Sequence, residues 1–362
     1  MDNKYISLSL VIGLLLVPVL ALNATIWRVN NTPGINASFS SMSAAITGAA
    51  VDDTLYVEGS LTSYGAVILN KRLTVIGPGY LLGVNDTTMA FQQTATLSSL
   101  RVTAAGATVM GMFINNAATT PTFALSVEAS NVTMLRNYIR KGNNGASGDV
   151  VQVSSGLTGL SFSQNFIENT GTSLSFTFRA INFLGAGTNC IISNNIILTG
   201  AADLNGASMS GDALVLVAGG SYRVNFNTIR GNCSFFDAQV TGNILIRGLI
   251  TTSPANPNIT QRNVANQSQF GTLQGNLALV DMTTNMFTMT GTASEDRYYR
   301  LNNASPATSA GPNGASAGAY GGFTPYVRSG MPPIPSIFAA SIPGAANTAT
   351  GVPVNQSSIS RN

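Results

Sequence analysis

The chain reads as an all-β solenoid, a single-stranded parallel β-helix, and three observations carry that expectation. The first is a returning segment. Val132-Thr-Met-Leu-Arg-Asn-Tyr-Ile-Arg140 comes back as Leu160-Ser-Phe-Ser-Gln-Asn-Phe-Ile-Glu168, as Cys190-Ile-Ile-Ser-Asn-Asn-Ile-Ile-Leu198 and as Tyr222-Arg-Val-Asn-Phe-Asn-Thr-Ile-Arg230. Its asparagine falls at Asn137, Asn165, Asn195 and Asn227, spacings of 28, 30 and 32 residues, with weaker echoes at Asn243 and Asn263. A period of this size marks stacked units. The second observation is that length varies mainly in one connection of each unit, for example Gly142 to Gly148 and Thr199 to Gly211. The third is composition. Hydrophobic residues make up 44% and charged residues 9%, with Ser, Thr and Asn at most polar positions, which suits short strands and tight turns. A β-sandwich also has many short strands, but they do not repeat one another in sequence.

Taken in order, the chain opens with Lys4 and the apolar run Ile6 to Leu22, broken by Pro18 and followed by a small-residue site at Ala21. That pattern reads as a signal peptide over residues 1–21, in preference to an uncleaved anchor. It makes the protein secreted or cell-surface, with no transmembrane segment after cleavage. Residues 22–322 then form one β-helix domain that includes an N-terminal cap. In the cap, Ile26 to Val29 is a strand, Ser40 to Ala50 has helical spacing of Met42, Ala45, Ile46 and Ala49, and Thr54 to Val57 is the next strand. A cap covers the open end of a stack, whose backbone would otherwise go unpaired.

From residue 123 each unit carries two recognisable strands. The first is Ala124 to Val127, Val150 to Val153, Ala180 to Phe183 and Ala213 to Leu216; the second is the Asn-bearing segment. An Asn side chain turned inward at the bend bonds backbone and its own copies above and below, forming a ladder. Residues 323–362 are rich in Pro, Gly and Ser and read as a flexible C-terminal tail.

Several classes are disfavoured at once. Net charge is +3 and no basic cluster stands out, which argues against nucleic acid. There is no histidine, the commonest general base and metal ligand. The two cysteines, Cys190 and Cys233, do not align in the repeat, so two buried thiols are expected rather than a bridge.

The stacked units resemble the right-handed parallel β-helix of the pectate-lyase-like superfamily. Trp27-Arg-Val-Asn-Asn31 with Pro33-Gly34, then Asp53-Thr-Leu-Tyr-Val-Glu-Gly-Ser60 and Leu73-Thr-Val-Ile-Gly-Pro-Gly-Tyr80, look like the opening of secreted bacterial β-helix proteins of unassigned function. The ending Ser305-Pro-Ala to Gly318-Ala-Tyr-Gly-Gly322 is similar to the last coil of such proteins. Ser316 and Ala317 stand where that ending often carries an Asp before Gly-Ala. The resemblance implies a possible lyase chemistry: an Arg or Lys removes a proton beside a uronate carboxylate, and Ca²⁺ held by acidic residues neutralises that carboxylate.

Aligned on the repeat, Asp149, Arg179 and Asp212 occupy equivalent positions in consecutive units, about 4.8 Å apart in a stack. Under the lyase reading Arg179 is the base and the two Asp hold the ion. An interstrand ion-pair column explains the same residues more simply, because flanking acids keep an arginine protonated and a hard cation gathers more oxygens. Arg140 and Glu168 form a second expected pair. Lys141, the lone lysine of the repeats, is the other base candidate, and otherwise a solvated loop lysine. Tyr64 and Tyr80 are candidate sugar platforms, whereas Tyr138 shares a column with Phe166 and Ile196 and reads as core. The preferred function is a non-enzymatic structural or carbohydrate-contacting module, a monomer without cofactor, whose partner is a polysaccharide or other cell-surface component. The alternative is a lyase for uronate-containing glycans, and only there is Ca²⁺ expected.

Overall fold

The computed structural model describes residues 24–85, 88–120, 122–142, 147–171, 177–199, 211–253, 255, 258–288, 295–341 and 355–359. The expected signal peptide, and most of the long connections, lie outside the described residues. Among the described residues, no helix is long and apolar enough to cross a membrane.

The coils lay their strands into three parallel sheets, most coils giving one strand to each. Sheet I has eight strands, from Ala66–Leu69 to Ile250–Thr251; sheet II has ten, from Ile26–Val29 to Ile259–Gln261; sheet III has eight, from Thr96–Leu97 to Val264–Ala265, all counted among the described residues. Successive coils pair in register, so residues one repeat apart become neighbours. The coil is right-handed, the sense that right-twisted strands joined to parallel neighbours adopt.

The interior is a set of apolar columns. Val67, Leu100, Leu125, Val151, Ile181, Leu214 and Cys233 stack along sheet I. Ile114, Ile139, Ile167, Ile197, Ile229, Leu245 and Ala265 do so along sheet III. All are buried. β-Branched and Leu side chains fill such a column because alternation sends every second residue inward. Both cysteines are free and buried, with Cys190 paired in register to Tyr222 as the repeat implies.

The Asn-bearing segment is two strands, not one. Thr133–Leu135 lies in sheet II and Tyr138–Lys141 in sheet III. The break comes from the residue before the asparagine, which takes a left-handed conformation at Arg136, Gln164, Asn194, Phe226 and Arg262, with φ of 54° to 57°. Non-glycine residues pay on the order of 1 kcal/mol for that geometry. The asparagines stabilise it. Asn137 N and Nδ2 both donate to Asn165 Oδ1, at 2.9 and 3.1 Å. The same pair of bonds runs from Asn165 to Asn195, Asn195 to Asn227, Asn227 to Asn243, Asn243 to Asn263 and Asn263 to Asn276. Each Nδ2 also reaches a carbonyl of the preceding coil, as Asn195 does to Phe162 O at 2.8 Å.

The short helix Met42–Gly48 (α1) closes the N-terminal end, its Ser41 hydroxyl accepting from Ala44 N and its Met42, Ala45 and Ile46 buried. Asp53 ties the first coil together, accepting from Thr25 N, Trp27 Nε1 and Ala50 N, each at 2.8 Å. Its neighbour Asp52 pairs with Arg72 on the surface.

The C-terminal segment departs from expectation. Rather than completing a last coil, residues 277–288 and 295–331 lie along the outer face of sheet III. That face presents Tyr138, Phe166, Ile196, Ile244 and Val264, and the returning strap covers it with Met282, Met286, Phe287, Tyr299 and Tyr326. Tyr138 is therefore core, but in a second core outside the coil, stacked between Phe113 and Phe166 at 4.6 Å from each. The left-handed column sutures the strap. Arg136 Nη1 donates to Met331 O, Gln164 Nε2 to Thr324 and Pro325 O, and Asn194 Nδ2 to Ala319 and Gly321 O. Gly318, at φ 81°, passes so close to sheet III that a Cβ there would lie 2.5 Å from Ile244 Cδ1. Part of the expected tail is thus held against the body: Tyr326, Ser329 and Met331 are all buried. Beyond them Ser336–Ser341 and Asn355–Ile359 pair antiparallel.

Candidate functional site

The charged column stands at the start of sheet I, where the long connections from sheet III arrive. Asp149 pairs in register with Arg179, and Arg179 with Asp212. The next strand puts Asn232 in the same column. Arg179 Nη1 lies 3.3 Å from Asp149 Oδ1, and its Nε lies 4.0 Å from Asp212 Oδ2. The two acids differ in exposure. The Asp149 side chain is 8% exposed, against 38% for Asp212 and 35% for Arg179.

Asp149 is fully engaged from the protein side. Its Oδ2 accepts from Asn182 Nδ2 at 3.0 Å and Gln152 Nε2 at 3.2 Å, while Oδ1 faces Arg179. At Asp212, burial pushes the carboxyl above the ordinary value, and Arg179 and an Asn232 hydrogen bond pull it back. With a guanidinium between them and nitrogen donors on Asp149, the two carboxylates do not make the oxygen-rich cage that Ca²⁺ takes. Among the described residues, no group of three or more His, Cys, Asp or Glu side chains gathers as a metal site.

Lys141 is not the solvated loop lysine that its sequence position suggests. It is the last residue of the sheet III strand, paired with Asn116 and Asn169, and only 3% exposed. Its Nζ donates to Ala118 O at 2.9 Å, and its methylenes fold over Gly148, where a Cβ would come within 2.5 Å of Cε. The missing side chain at 148 makes that burial possible. Burial lowers the Lys141 pKa, and nearby Asp149 opposes the shift. The amine is closed off from solvent.

Arg140 and Glu168 do approach, at 3.7 Å. Glu168 also accepts from Tyr138 Oη at 2.6 Å, so the carboxylate anchors the outer aromatic stack. Of the proposed sugar platforms, Tyr80 is fully buried beneath the strap, its hydroxyl bonded to that of Tyr326. Tyr64 stays half-buried beside α1. Its hydroxyl donates to Glu58 O at 2.7 Å, and burial pushes its pKa up to about 12. It lines a groove of about 360 Å³ with Ser41, Ile46, Ile68 and Asn70. The ladder asparagines stand at 0% exposure from Asn137 to Asn263, so they present nothing to a ligand. Sequence reading missed the seventh rung, Asn276, which follows a turn rather than a strand.

No family model and no curated protein matches the chain. Among solved structures it is similar to pectate lyase Pel9A, at 14% identity over 83% of this chain and 97% of that one, with a TM-score of 0.45. It is also similar to a pectin methylesterase solved in complex with a hexasaccharide, at 15% identity over 67% and 70% of the two chains, with a TM-score of 0.31. The pectin methylesterase PemA from Erwinia chrysanthemi follows, at 13% identity over the same shares, with a TM-score of 0.22. These likenesses add no residue roles to what the sheets already establish. Three parallel sheets in one continuous coil, with an asparagine rung in seven turns, give the chain a parallel β-helix fold.

Proposed function

We propose that the protein is an exported β-helix that contacts carbohydrate and holds it without cleaving it, with the Asp149–Arg179–Asp212 column as the contact. The observation that carries this reading is the state of Arg179. Its guanidinium is oriented by one buried and one half-exposed carboxylate and remains one-third open. A guanidinium is a donor with no acceptor and keeps its charge across the physiological range. Arg179 and Asp212 together offer a fork of donors beside an acceptor, the complement of neighbouring sugar hydroxyls or of a hydroxyl and a carboxylate. Export rests on the N-terminal pattern, and the contact site is where the variable connections enter.

The second reading is β-elimination on a uronate glycan with Arg179 as base and Lys141 as the alternative. What favours it is Lys141 beside the column, whose pKa burial lowers; that same burial stands against it. One experiment separates the two. The mature protein is incubated with a panel of uronate polysaccharides, with and without Ca²⁺, while retention on immobilised polysaccharide and release of unsaturated product are followed together. Retention without product, lost in Arg179→Ala, is expected. Unsaturated product that disappears in Arg179→Ala would establish the lyase instead.

A further inference from the structure

Away from the charged column, on the strap side of the molecule, three arginines converge on one pocket. Arg297, Arg300 and Arg328 line a cavity of about 190 Å³ with Thr288 and Tyr298. In a chain with 17 Lys and Arg among 362 residues, such a meeting is not background.

The arrangement is built from three backbone pieces. Residues 286–288 pair antiparallel with 300–302: Thr288 N donates to Arg300 O at 2.9 Å, and Asn302 N to Met286 O at 3.1 Å. That pairing sets Arg300 opposite Thr288. Arg297 stands on the 3₁₀ turn Asp296–Tyr299, and the Thr288 hydroxyl donates to its carbonyl at 3.2 Å. Arg328 opens the tight turn Arg328–Gly330. Asp296 locks the two turns together. It is fully buried and accepts from Ser329 N at 2.7 Å, Asn85 Nδ2 at 2.8 Å and Tyr326 Oη at 3.1 Å. The arginines are therefore presented by a fixed frame.

Their charges are unequally balanced. Arg297 Nε lies 2.6 Å from Glu295 Oε2, and its Nη1 reaches Val84 O at 3.4 Å. Among the described residues Arg300 and Arg328 meet no carboxylate. Among the described residues, the two acids of this turn are engaged: Glu295 by Arg297, and Asp296 by the three donors beneath the surface. Two guanidinium groups that meet no carboxylate among the described residues stand at the rim of a cavity; such groups attract an anion, and their planar forks match an oxyanion edge-on. The cavity is smaller than those that hold drug-sized molecules, so it fits one anionic group or a single charged sugar unit.

We propose that the Arg297–Arg300–Arg328 pocket is an oxyanion-binding site, taking the carboxylate, sulfate or phosphate group of an anionic ligand. It is separate from the sheet I column and does not depend on what that column binds. The test titrates the mature protein by calorimetry, at low and at physiological salt, with inorganic sulfate, inorganic phosphate and a uronate oligosaccharide. One site per chain is expected for sulfate and for phosphate, with affinity that falls as salt rises. Arg300→Gln and Arg328→Gln should each weaken it at least tenfold at unchanged melting temperature. Arg300→Lys, which keeps the charge and loses the fork, should retain part of it. Arg223→Gln, on the open face of sheet II, should leave it unchanged. Oligosaccharide binding that is tighter than that of the inorganic ions and is weakened by Arg300→Gln assigns the site to a glycan carboxylate, and tighter binding of the inorganic ions assigns it to a free anion. No binding of any of the three probes, or equal weakening by Arg223→Gln, overturns the proposal.

Discussion

Every coil turns twice near its asparagine strand, and the two turns behave in opposite ways. Between sheets II and III the chain bends through one left-handed residue and one asparagine, and the same pair of bonds, repeated six times, links seven asparagines from Asn137 to Asn276. Between sheets III and I the connection changes length from coil to coil, and it is flanked by Lys141, Asp149, Arg179 and Asp212. The first turn is saturated and closed. The second is polar, partly open and unequal from one coil to the next. Saturation explains the uniformity, since a buried amide that loses a partner costs about 1–3 kcal/mol for each group left unpaired. A position so constrained holds the stack together and has no valence left for a ligand.

The sharpest way to break this contrast is to remove a rung. Asn195→Ala strips Asn165 N and Nδ2 of their acceptor and Phe162 O of a donor. Denaturant unfolding should show a loss on the order of 4 kcal/mol. A loss below about 1 kcal/mol would mean that the ladder is ornamental. The strap comes next. Phe166→Ala empties the stack beneath it and should cost about 3 kcal/mol, read by denaturation and by faster proteolysis within residues 277–331.

Two buried acids then sharpen the comparison through opposite pH dependence. Asp296 has its folded pKa raised by burial. Its protonated form is favoured in the fold, so that contribution is full below about pH 4 and fades as pH climbs through the folded value. The stability gap between the native protein and Asp296→Asn should narrow with rising pH. Asp53 has its folded pKa lowered by hydrogen bonds from Thr25 N and Trp27 Nε1. Its contribution is present above about pH 4 and is lost as pH falls. Trp27 is the chain's single tryptophan, so its fluorescence reports this corner directly. Acidification should shift that emission in the native protein and leave Asp53→Asn nearly flat. The smallest stability effect is expected at the variable turn: Arg179→Ala should change unfolding by less than about 1 kcal/mol, as partly exposed pairs do.

What was legible follows from the same contrast. The ladder could be read because one residue type recurs at one bend, and registration then placed Asp149, Arg179 and Asp212 side by side. The left-handed residue was invisible, because Arg136, Gln164 and Phe226 share no chemistry. Alternation told that Tyr138 is buried but not on which side of the wall, since an outer column under a strap looks like an inner one. The strap has no repeat of its own, so its return over sheet III left no periodic mark, and Tyr80 passed for a surface platform. Lys141 was misplaced because its burial depends on the absent side chain at Gly148, a tertiary detail. Arg297, Arg300 and Arg328 become one cluster only through the Asp296 lock.

The central claim is that binding belongs to the variable turn. Affinity electrophoresis in gels carrying uronate polysaccharide tests it directly, with the native protein, Arg179→Ala and Arg223→Ala run side by side. The account predicts retardation of the native protein and of Arg223→Ala, and free migration of Arg179→Ala at an unchanged melting temperature. Equal retardation of all three would contradict it.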